Sequence, residues 1–382
     1  MLKFSIQILF ITLGLTSNVA WGQTYAAFHK YWDPINSAQV QENHYEAYLL
    51  IEEALKYKKM EDTLHYLAGL SAYQLNAFPK AEFHLRKLTN TDFEDRHTEV
   101  RYLLGEILFR MGRYQESQGF FQTFLGLAEE NDDKRELVLF RLEQIQWARN
   151  NLNKKDPLIK TKRMDGELNT LENESAPIEV DGSIYYSGLR LDPKDKAKLP
   201  KPLGQVFKYN EKNNTHDSIE PGLLESKEFV SNPAFNDDQT LFVYTSCQYN
   251  ENSTGIRCEL FYKRKSENGW GKPNRFPEPV NFPGYSSTQG KLLKDSQTGM
   301  DRLYFASNKP GGKGGYDLYT VLIDENGQVS SSENLDFVNT QGNEFTPFFS
   351  HFNQTLYFSS DRYEGFGGQD IYKYPLRGKD SL

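Results

Sequence analysis

The stretch that decides the fold lies in the last third of the chain, where Leu303–Tyr319 (LYFASN followed by GGYDLY) is repeated as Leu356–Tyr372 (LYFSSDR followed by GGQDIY). In both copies an Asp stands fourteen positions after the opening Leu. A short apolar-aromatic run, a Gly-rich turn, and then Asp, an aliphatic residue and Tyr predict a β-hairpin. Repetition at a fixed spacing indicates a repeat fold, so the other copies determine the architecture.

Two fainter copies lie upstream of this pair. Ile184–Arg190 (IYYSGLR) is followed by an apolar run at 205–207, and Leu241–Ser246 (LFVYTS) is followed by another at 259–262. If these runs are the first strands of the repeats, their starts at 184, 241, 303 and 356 give a period of about 53 to 62 residues. One period then holds about four short strands, which is the content of one propeller blade.

The repeated phrase resembles the PD40 repeat, a WD40-like propeller repeat of bacterial envelope proteins that also occurs in periplasmic TolB. The family pattern is roughly E-x-x-P, a polar turn, L-Y-F-S-S-D-R, glycines and then D-I-Y, and the segment Glu344–Tyr372 is similar to it almost term by term. The third copy lacks the Pro, and the first two copies lack the Gly-Gly. The resemblance covers roughly residues 174–374 and implies an all-β propeller with four visible repeats.

The N-terminus has the pattern of a targeting segment. Lys3 is followed by the apolar run Ile6–Leu15, and small residues at Ala20 and Gly22 precede a cut before Gln23. The alternative, a membrane anchor, is disfavoured because the run is shorter than the roughly 20 residues needed to span a bilayer. We therefore expect a signal peptide, and a mature chain in the periplasm or at the periplasmic face of the outer membrane, without a transmembrane span.

The two cysteines, Cys247 and Cys258, stand at the end of one predicted strand and the start of its hairpin partner. In the oxidising compartment of an exported protein such a pair can form a disulfide. The alternative is a pair of unpaired thiols. A metal site is disfavoured, since neither Cys has a His or another Cys nearby at ligand spacing.

Residues 41–150 contain few Gly or Pro and show helical periodicity. Small and apolar positions recur there at an offset of 36, close to the 34-residue period of a tetratricopeptide repeat. The corresponding sets are Gly69, Phe78, Ala81, Leu85, Leu88 and Gly105, Tyr114, Ser117, Phe121, Phe124. The resemblance implies either a groove for a peptide or partner protein, or helices that brace the propeller. Both alternatives stay open.

These patterns predict an α + β multidomain protein. Its parts are a signal peptide at 1–22, a tetratricopeptide-like helical repeat domain at 23–150, a polar linker at 151–173 and the propeller at 174–382. An aromatic content of 14% argues against disorder. The net charge of −8 and the dispersed basic residues argue against a nucleic-acid partner.

Motifs for catalysis are missing from the sequence. It contains no G-x-S-x-G elbow, no H-E-x-x-H and no P-loop, and we expect no hydrolase domain to follow the propeller. We therefore predict that the chain is not an enzyme and that it uses no metal or cofactor.

Asp317 and Asp370 invite the hypothesis of a carboxylate pair for metal or glycan chemistry. Repetition favours a structural role instead, because every blade needs an acceptor for backbone N–H groups at this turn, whereas a catalytic group is needed once. The residues assigned to the repeat structure are Asp317, Asp361, Arg362, Asp370, Gly314, Gly315, Gly367 and Gly368. The aromatic residues expected at loop tips as contact residues are Tyr316, Tyr363 and Phe366.

The pairing of helical repeats with a PD40 propeller resembles the PorE-like envelope proteins of Bacteroidetes, which are associated with type IX secretion and gliding. Those relatives usually continue into an OmpA-like peptidoglycan-binding domain, which we expect to be absent here. The leading hypothesis is a non-catalytic scaffold that holds envelope proteins together. The alternative is a propeller module that binds a glycan or peptidoglycan, and an enzyme is the third and least favoured hypothesis.

Overall fold

A computed structural model describes residues 20–57, 60–154, 163–164, 168–169, 173–190, 203–224, 229–251, 253–350 and 352–376. It divides into two compact units. Unit 1 comprises Met1–Asn153 with the segments Asn250–Gly255 and Glu364–Gly367, and unit 2 comprises the remainder of the chain. Most of the predicted signal peptide and of the predicted linker lies outside the described residues.

The described part of unit 1 is formed by eight helices. They are α1 (Ala20–Val40), α2 (His44–Leu55), α3 (Glu61–Gln74), α4 (Phe78–Arg86), α5 (Asp92–Arg96), α6 (Glu99–Arg110), α7 (Tyr114–Leu127) and α8 (Arg135–Asn151). Helix α2 begins at an N-cap, where the Asn43 side chain accepts the Glu46 N–H. The apolar faces of the helices share one core, as their sequence periodicity requires.

Two glycines at the repeated offset of 36 allow two helix pairs to pack closely. A Cβ on Gly69 of α3 would lie 2.6 Å from the Leu85 side chain of α4, and a Cβ on Gly105 of α6 would lie 2.5 Å from the Phe121 ring of α7. Both distances are far below van der Waals contact. In both helix pairs, therefore, a glycine on one helix leaves room for a large side chain of the next helix.

A histidine pair, with His84 buried and His65 half-buried, joins three helices of unit 1. The Nδ1 atoms of His65 and His84 lie 3.0 Å apart, and His84 Nε2 lies 3.2 Å from both the Tyr48 hydroxyl and Glu52 Oε1. His84 is 1% exposed. Burial, the neighbouring His65 and two lysines, Lys87 and Lys80, lower the pKa of His84 to about 4. His84 is therefore neutral at pH 7, and with its proton on Nε2 it can accept the N–H of His65.

Unit 2 is a β-propeller of four blades. Blade 1 contains β1 (Asn173–Val180), β2 (Ser183–Arg190), β3 (Leu203–Asn210) and β4 (Thr215–Asp217). Blade 2 contains β5 (Val230–Phe235), β6 (Leu241–Tyr249), β7 (Ile256–Ser266), β8 (Gly269–Trp270) and β9 (Asn274–Arg275). Blade 3 contains β10 (Ser287–Lys294), β11 (Asp301–Ser307), β12 (Asp317–Ile323) and β13 (Glu333–Asn334). Blade 4 contains β14 (Glu344–Ser350), β15 (Thr355–Ser360) and β16 (Asp370–Pro375).

The strands are antiparallel in chain order within each blade, so side chains alternate between its two faces. We call the face that points to the next blade in the chain the forward face and the opposite one the rear face. On the second strands the forward face carries Tyr185 and Ser187, Val243 and Thr245, Tyr304 and Ala306, and Tyr357 and Ser359. Apolar clusters fill the contacts between blades 1 and 2, 2 and 3, and 3 and 4.

Each inner strand has one β-bulge at the same place, where its register with the second strand shifts. The bulge residues with a left-handed backbone are Ala176 (φ 50°), Asn232 (53°), Gln289 (56°) and Thr346 (51°). A Pro follows in three blades, and Gly290 follows in blade 3. A Cβ on Gly290 would lie 3.0 Å from Val243 and 3.1 Å from Leu303, so the tight contact with blade 2 accounts for the missing Pro.

The bulges link one blade to the next through their backbone N–H groups. The Asn232 N–H of blade 2 donates to the Ser187 hydroxyl of blade 1 at 2.7 Å. The Gln289 N–H of blade 3 donates to the Thr245 hydroxyl of blade 2 at 3.1 Å. Ser187 and Thr245 occupy the same register position, opposite the residue just before the bulge. A donor exposed by the bulge in one blade is thus satisfied by the forward face of the previous blade.

The third of these links uses a different acceptor. Ala306 occupies the equivalent position in blade 3 and has no hydroxyl. The side-chain Oε1 of Gln289, itself a bulge residue, accepts the Thr346 N–H of blade 4 at 2.7 Å instead. All three contacts between consecutive blades therefore contain this hydrogen bond.

The predicted order of a helical region followed by a four-blade propeller is confirmed. The interpretation of the Leu-Tyr-Phe phrases as first strands is wrong, because each of them is the second strand of its blade. The inner strand precedes it and contains the Pro of the family pattern. A bulged strand with a Pro does not alternate regularly, and so its signal was missed.

We expect Gly105→Ala to lower the free energy of unfolding by about 2 kcal/mol, since the methyl group would overlap the Phe121 ring. The matched control is Gly119→Ala in α7, where a Cβ would meet nothing within 4 Å. That change should raise stability by roughly 0.5–1 kcal/mol through helix propensity. Urea denaturation of both variants checks this, and equal effects would contradict the close approach.

We also expect unit 1 to lose stability as the pH falls from about 6.5 towards 4. In this window the unfolded chain takes up a proton at residue 84 that the native state does not, because the native pKa of His84 is about 4. The loss should be about 2 kcal/mol by pH 5. His84→Asn should reduce the pH dependence of the free energy of unfolding. An unchanged slope in the His84 variant would show that His84 is not its source.

Candidate functional site

The structure places the repeated Asp and Gly residues of blade 3 in a turn. The buried carboxylate of Asp317 accepts the N–H groups of Lys313 at 3.0 Å and Gly314 at 3.2 Å. A Cβ on Gly314 would overlap the backbone oxygens of Gly342 and Thr340. Asp317 therefore closes its own hairpin, and Gly314 lets the connection to blade 4 approach the loop.

Blade 4 carries the same phrase in different surroundings. The carboxylate of Asp361 accepts the backbone and side-chain N–H groups of Asn343 at 2.8 and 2.9 Å, and the Arg362 N–H donates to the Ser360 hydroxyl at 3.2 Å. Asp370 begins β16. A Cβ on Gly368 would meet nothing within 4 Å, unlike a Cβ on the corresponding Gly315, which would overlap the Asn343 side chain.

The aromatic residues expected at loop tips occupy different environments. Tyr316 packs 4.8 Å from the ring of Phe345, and Tyr363 packs 4.9 Å from the ring of Tyr372. Both are half-buried in the cluster between blades 3 and 4. Phe366 is exposed and belongs to unit 1. The three are not brought together into one surface.

Cys247 and Cys258 are joined by a disulfide in the hairpin of β6 and β7. They are direct register partners near the end of the longest strands of the propeller, and pairing continues beyond them to Tyr249 and Ile256. The bond fixes the part of the hairpin that extends past the body of blade 2. It holds one wall of the cavity described next.

An open cavity of ≈ 500 Å³ lies at this end of the contact between blades 1 and 2. The lining residues are Leu203, Phe229, Tyr244, Ser246, Cys247, Gln248, Tyr249, Phe261 and Pro273. Phe229 and Tyr249 pack with ring centroids 5.6 Å apart, and Tyr244 stacks on Phe261 at 5.9 Å. The Cys247 N–H donates to the Phe229 carbonyl at 2.9 Å, which ties the Phe229 segment to β6.

The chemistry of this cavity is aromatic and neutral. All of the lining side chains that the structure describes are uncharged, and burial raises the pKa of Tyr249 above its ordinary value. Ser246, Gln248 and Tyr249 supply hydroxyl and amide groups that donate and accept hydrogen bonds. Pockets with apolar walls and a few placed polar groups are typical ligand sites. The lining suits a neutral, hydroxyl-rich ligand better than a phosphate or carboxylate, which would need a cation.

A second cavity of ≈ 520 Å³ lies in unit 1 and is lined by Gly112, Arg113, Tyr114, Gln115, Glu116 and Arg149. Its two arginines are already engaged. Arg113 pairs with Glu82 at 2.6 Å and with Glu116 at 2.7 Å, and Arg149 donates to Gln118 at 3.1 Å. The cavity therefore offers less to a ligand than the aromatic one.

In the described ranges, no group of three or more His, Cys, Asp or Glu side chains is placed to hold a metal ion. Within the same ranges, no helix has the length and apolarity to cross a membrane.

Comparisons with known proteins give a likeness to solved structures. No protein-family model matches the chain, and no curated protein sequence matches it. A structure of a BT0996 RGII complex has a TM-score of 0.34 at 10% identity, over 55% of this chain and 71% of that one. An exo-β-1,3-galactanase from Clostridium thermocellum has a TM-score of 0.31 at 16% identity, over 52% and 47%. A thermostable family-43 glycoside hydrolase has 0.29 at 11% identity, over 53% and 72%. A likeness this distant assigns no activity or substrate to this chain.

The prediction that the chain is not an enzyme is wrong, because the reasons given for it do not exclude catalysis. It rested on the motifs missing from the sequence and on the expectation that no hydrolase domain follows the propeller, yet the galactanase and the family-43 hydrolase, to which the chain has a distant likeness, are enzymes. Missing motifs therefore do not exclude catalysis.

Sequence reasoning missed the cavity. Phe229 and Tyr249 lie in a non-repeating part of the chain, and only the unusual length of the β6–β7 hairpin around the two cysteines pointed to this end of the blade. The ring of Phe229 also depends on Gly204 of blade 1, where a Cβ would overlap it. A contact between two blades is not visible in the sequence of either one.

We expect Gly314→Ala to destabilise unit 2 by more than about 2 kcal/mol, because the backbone of the neighbouring connection must move. Gly368→Ala, in the equivalent loop of blade 4 but one position further along, is the control and should change stability by less than about 0.5 kcal/mol. Thermal denaturation of the two variants measures the difference. Equal losses would contradict the different surroundings of the two loops.

Proposed function

We propose that unit 2 binds a neutral glycan in the aromatic cavity between blades 1 and 2. The observation that carries this proposal is a lining that combines four aromatic rings with hydroxyl and amide groups and whose described side chains carry no charge. The C–H face of a sugar ring packs on the electron-rich face of an aromatic ring, and its hydroxyls pair with amides and hydroxyls. This was the alternative function predicted from the sequence.

The geometry supports roles for individual residues. Tyr249 and Phe229 lie at the rim as a pair of rings and would supply the stacking surface. Gln248, which is exposed beside Tyr249, would hydrogen-bond the sugar hydroxyls. The disulfide Cys247–Cys258 would keep this rim in place without a ligand, which lowers the ordering cost of binding.

A disulfide also supports the predicted location. Disulfides form and persist in oxidising compartments such as the bacterial periplasm. We therefore infer that the chain acts outside the cytoplasm, in agreement with the signal-peptide pattern of residues 1–22.

The second candidate function is a scaffold for envelope proteins, and one observation favours it. Tyr45 and Leu49 stand one turn apart on α2 with exposed side chains, so unit 1 presents an apolar stripe. We also infer that the helices are tetratricopeptide-like and the blades PD40-like, with a PorE-like setting. The recurring glycines at an offset of 36 and the repeated L-Y-F phrase support this inference.

Glycan binding is tested by calorimetric titration with neutral gluco-, xylo-, galacto- and arabino-oligosaccharides, with polygalacturonate as the anionic comparison. We expect the neutral ligands to bind, and Tyr249→Ala and Phe229→Ala to weaken binding at least about tenfold, a loss of roughly 1.4 kcal/mol. Tyr249→Phe should retain most of the affinity, because the ring remains. Phe352→Ala, a fully exposed aromatic away from the cavity, is the matched control.

Failure of every neutral saccharide to bind, or binding that Tyr249→Ala leaves unchanged, would contradict this function. The scaffold then becomes the better candidate. It is measured by affinity recovery from native envelope after crosslinking, where Tyr45→Asp with Leu49→Asp should abolish recovery of a stoichiometric partner.

A further inference from the structure

We propose that the forward face of blade 4 binds a β-sheet of another protein, in the way that consecutive blades bind each other. The proposal goes beyond glycan binding and does not use the aromatic cavity. It rests on one strand position that occurs once in each blade. The side chain at this position is buried in blades 1 to 3 and exposed in blade 4.

That position is the aliphatic residue on the third strand of each blade, opposite the hydroxyl position of the second strand. The register pairs are Ser187 with Val206, Thr245 with Leu260, Ala306 with Leu318, and Ser359 with Ile371. Val206 is 6% exposed, and Leu260 and Leu318 are both 0% exposed, since the next blade covers them. Ile371 is 80% exposed. Blade 4 keeps the side chain that is buried between the other blades, but no described residue covers it.

The inner strand of blade 4 shows the same lack of cover. Phe348 pairs with Tyr357 and is 48% exposed. The residue at the corresponding place in blade 2 is Ala234, which pairs with Val243 and is buried. The exposed surface therefore extends from the inner strand β14 to the outer strand β16.

The Gly-rich loop of blade 4 is an independent observation that points the same way. In blade 3 the loop is tight because the connection to the next blade passes over it, at Gly342 and Asn343. Blade 4 repeats the glycines, yet a Cβ on Gly368 would meet nothing within 4 Å. Gly368 thus leaves room for a following blade, whereas Gly367 of the same loop belongs to unit 1, where its Cβ would lie 3.7 Å from the Arg110 backbone.

The hydrogen-bonding group that would receive such a blade is also in place. Ser359 occupies the position from which Ser187 and Thr245 accept the N–H of the next bulge. In this chain its hydroxyl is bonded to the Thr346 hydroxyl at 3.0 Å. A partner sheet with a bulged inner strand would present an N–H to this group.

The partner's chemistry follows from the face. It must supply an apolar sheet surface for Ile371 and Phe348, and carboxylates suit its edge, because Lys373 is exposed beside Tyr357 and Lys291 Nζ lies 5.1 Å from the Phe348 ring centre. In a second copy of this chain, the blade face that would take the next place in the series is not free among the described residues. The rear face of its blade 1 is covered, with Tyr186 2% and Tyr209 1% exposed in a cluster that includes Leu168.

The test uses this chain's own blade as the probe. A copy of residues 324–376 is added after residue 376, so that the natural connection and blade 4 follow the existing blade 4. We expect the added blade to fold on the forward face, to resist protease, to slow hydrogen exchange in β16 and to raise the thermal midpoint by about 5 °C. Ile371→Asp in the first copy should abolish these gains, whereas Met300→Asp, an exposed apolar position of blade 3, should not.

Two results would overturn the proposal. An added blade that is digested while the thermal midpoint stays unchanged would show that the face does not accept a blade. Sedimentation of the unmodified chain as a dimer that Ile371→Asp converts to a monomer would show that a second copy occupies the face. Neither result bears on saccharide binding, which the Tyr249 variants measure separately.

Discussion

The propeller depends on one recurring constraint, the bulge that frees a backbone N–H on the inner strand of each blade. A buried donor without an acceptor costs about 1–3 kcal/mol, so each bulge needs a partner. The previous blade supplies it through Ser187 and Thr245, and where Ala306 has lost the hydroxyl the Gln289 side chain replaces it. Apolar packing holds neighbouring blades together, and these hydrogen bonds fix their register.

The two proposed binding surfaces lie where the repeated contact between consecutive blades is lengthened or ends. At the contact between blades 1 and 2, the long β6–β7 hairpin passes beyond the sheet and is secured by a disulfide, which creates an aromatic cavity. At blade 4 the series of contacts ends, and Ile371 occupies at the surface a position that is buried in the other three blades. In this repeat fold, the proposed binding surfaces thus lie where one blade differs from the others.

Much of the fold could be predicted from the sequence, because repeated phrases report repeated structure. The helical region, the four blades and the cysteine hairpin all followed from local patterns. The inner strands were missed, since a bulge and a Pro break the alternation on which strand prediction relies. The aromatic cavity could not be predicted, because the Phe229 ring meets Gly204 of blade 1 only when the two blades pack together. Tyr316 and Tyr363 were expected at loop tips, yet both pack between blades 3 and 4, where aromatic residues fill space.

The measurement that tests the central constraint most directly compares Thr245→Val with Thr320→Val by urea denaturation. Both threonines are buried, but the Thr245 hydroxyl accepts the Gln289 N–H, whereas the Thr320 hydroxyl has no hydrogen-bond partner among the described residues. Thr245→Val should lower the free energy of unfolding by about 1–3 kcal/mol, because the bulge N–H loses its acceptor. Thr320→Val should leave it unchanged or raise it. Equal effects of the two substitutions would contradict the role given to the bulge hydrogen bonds.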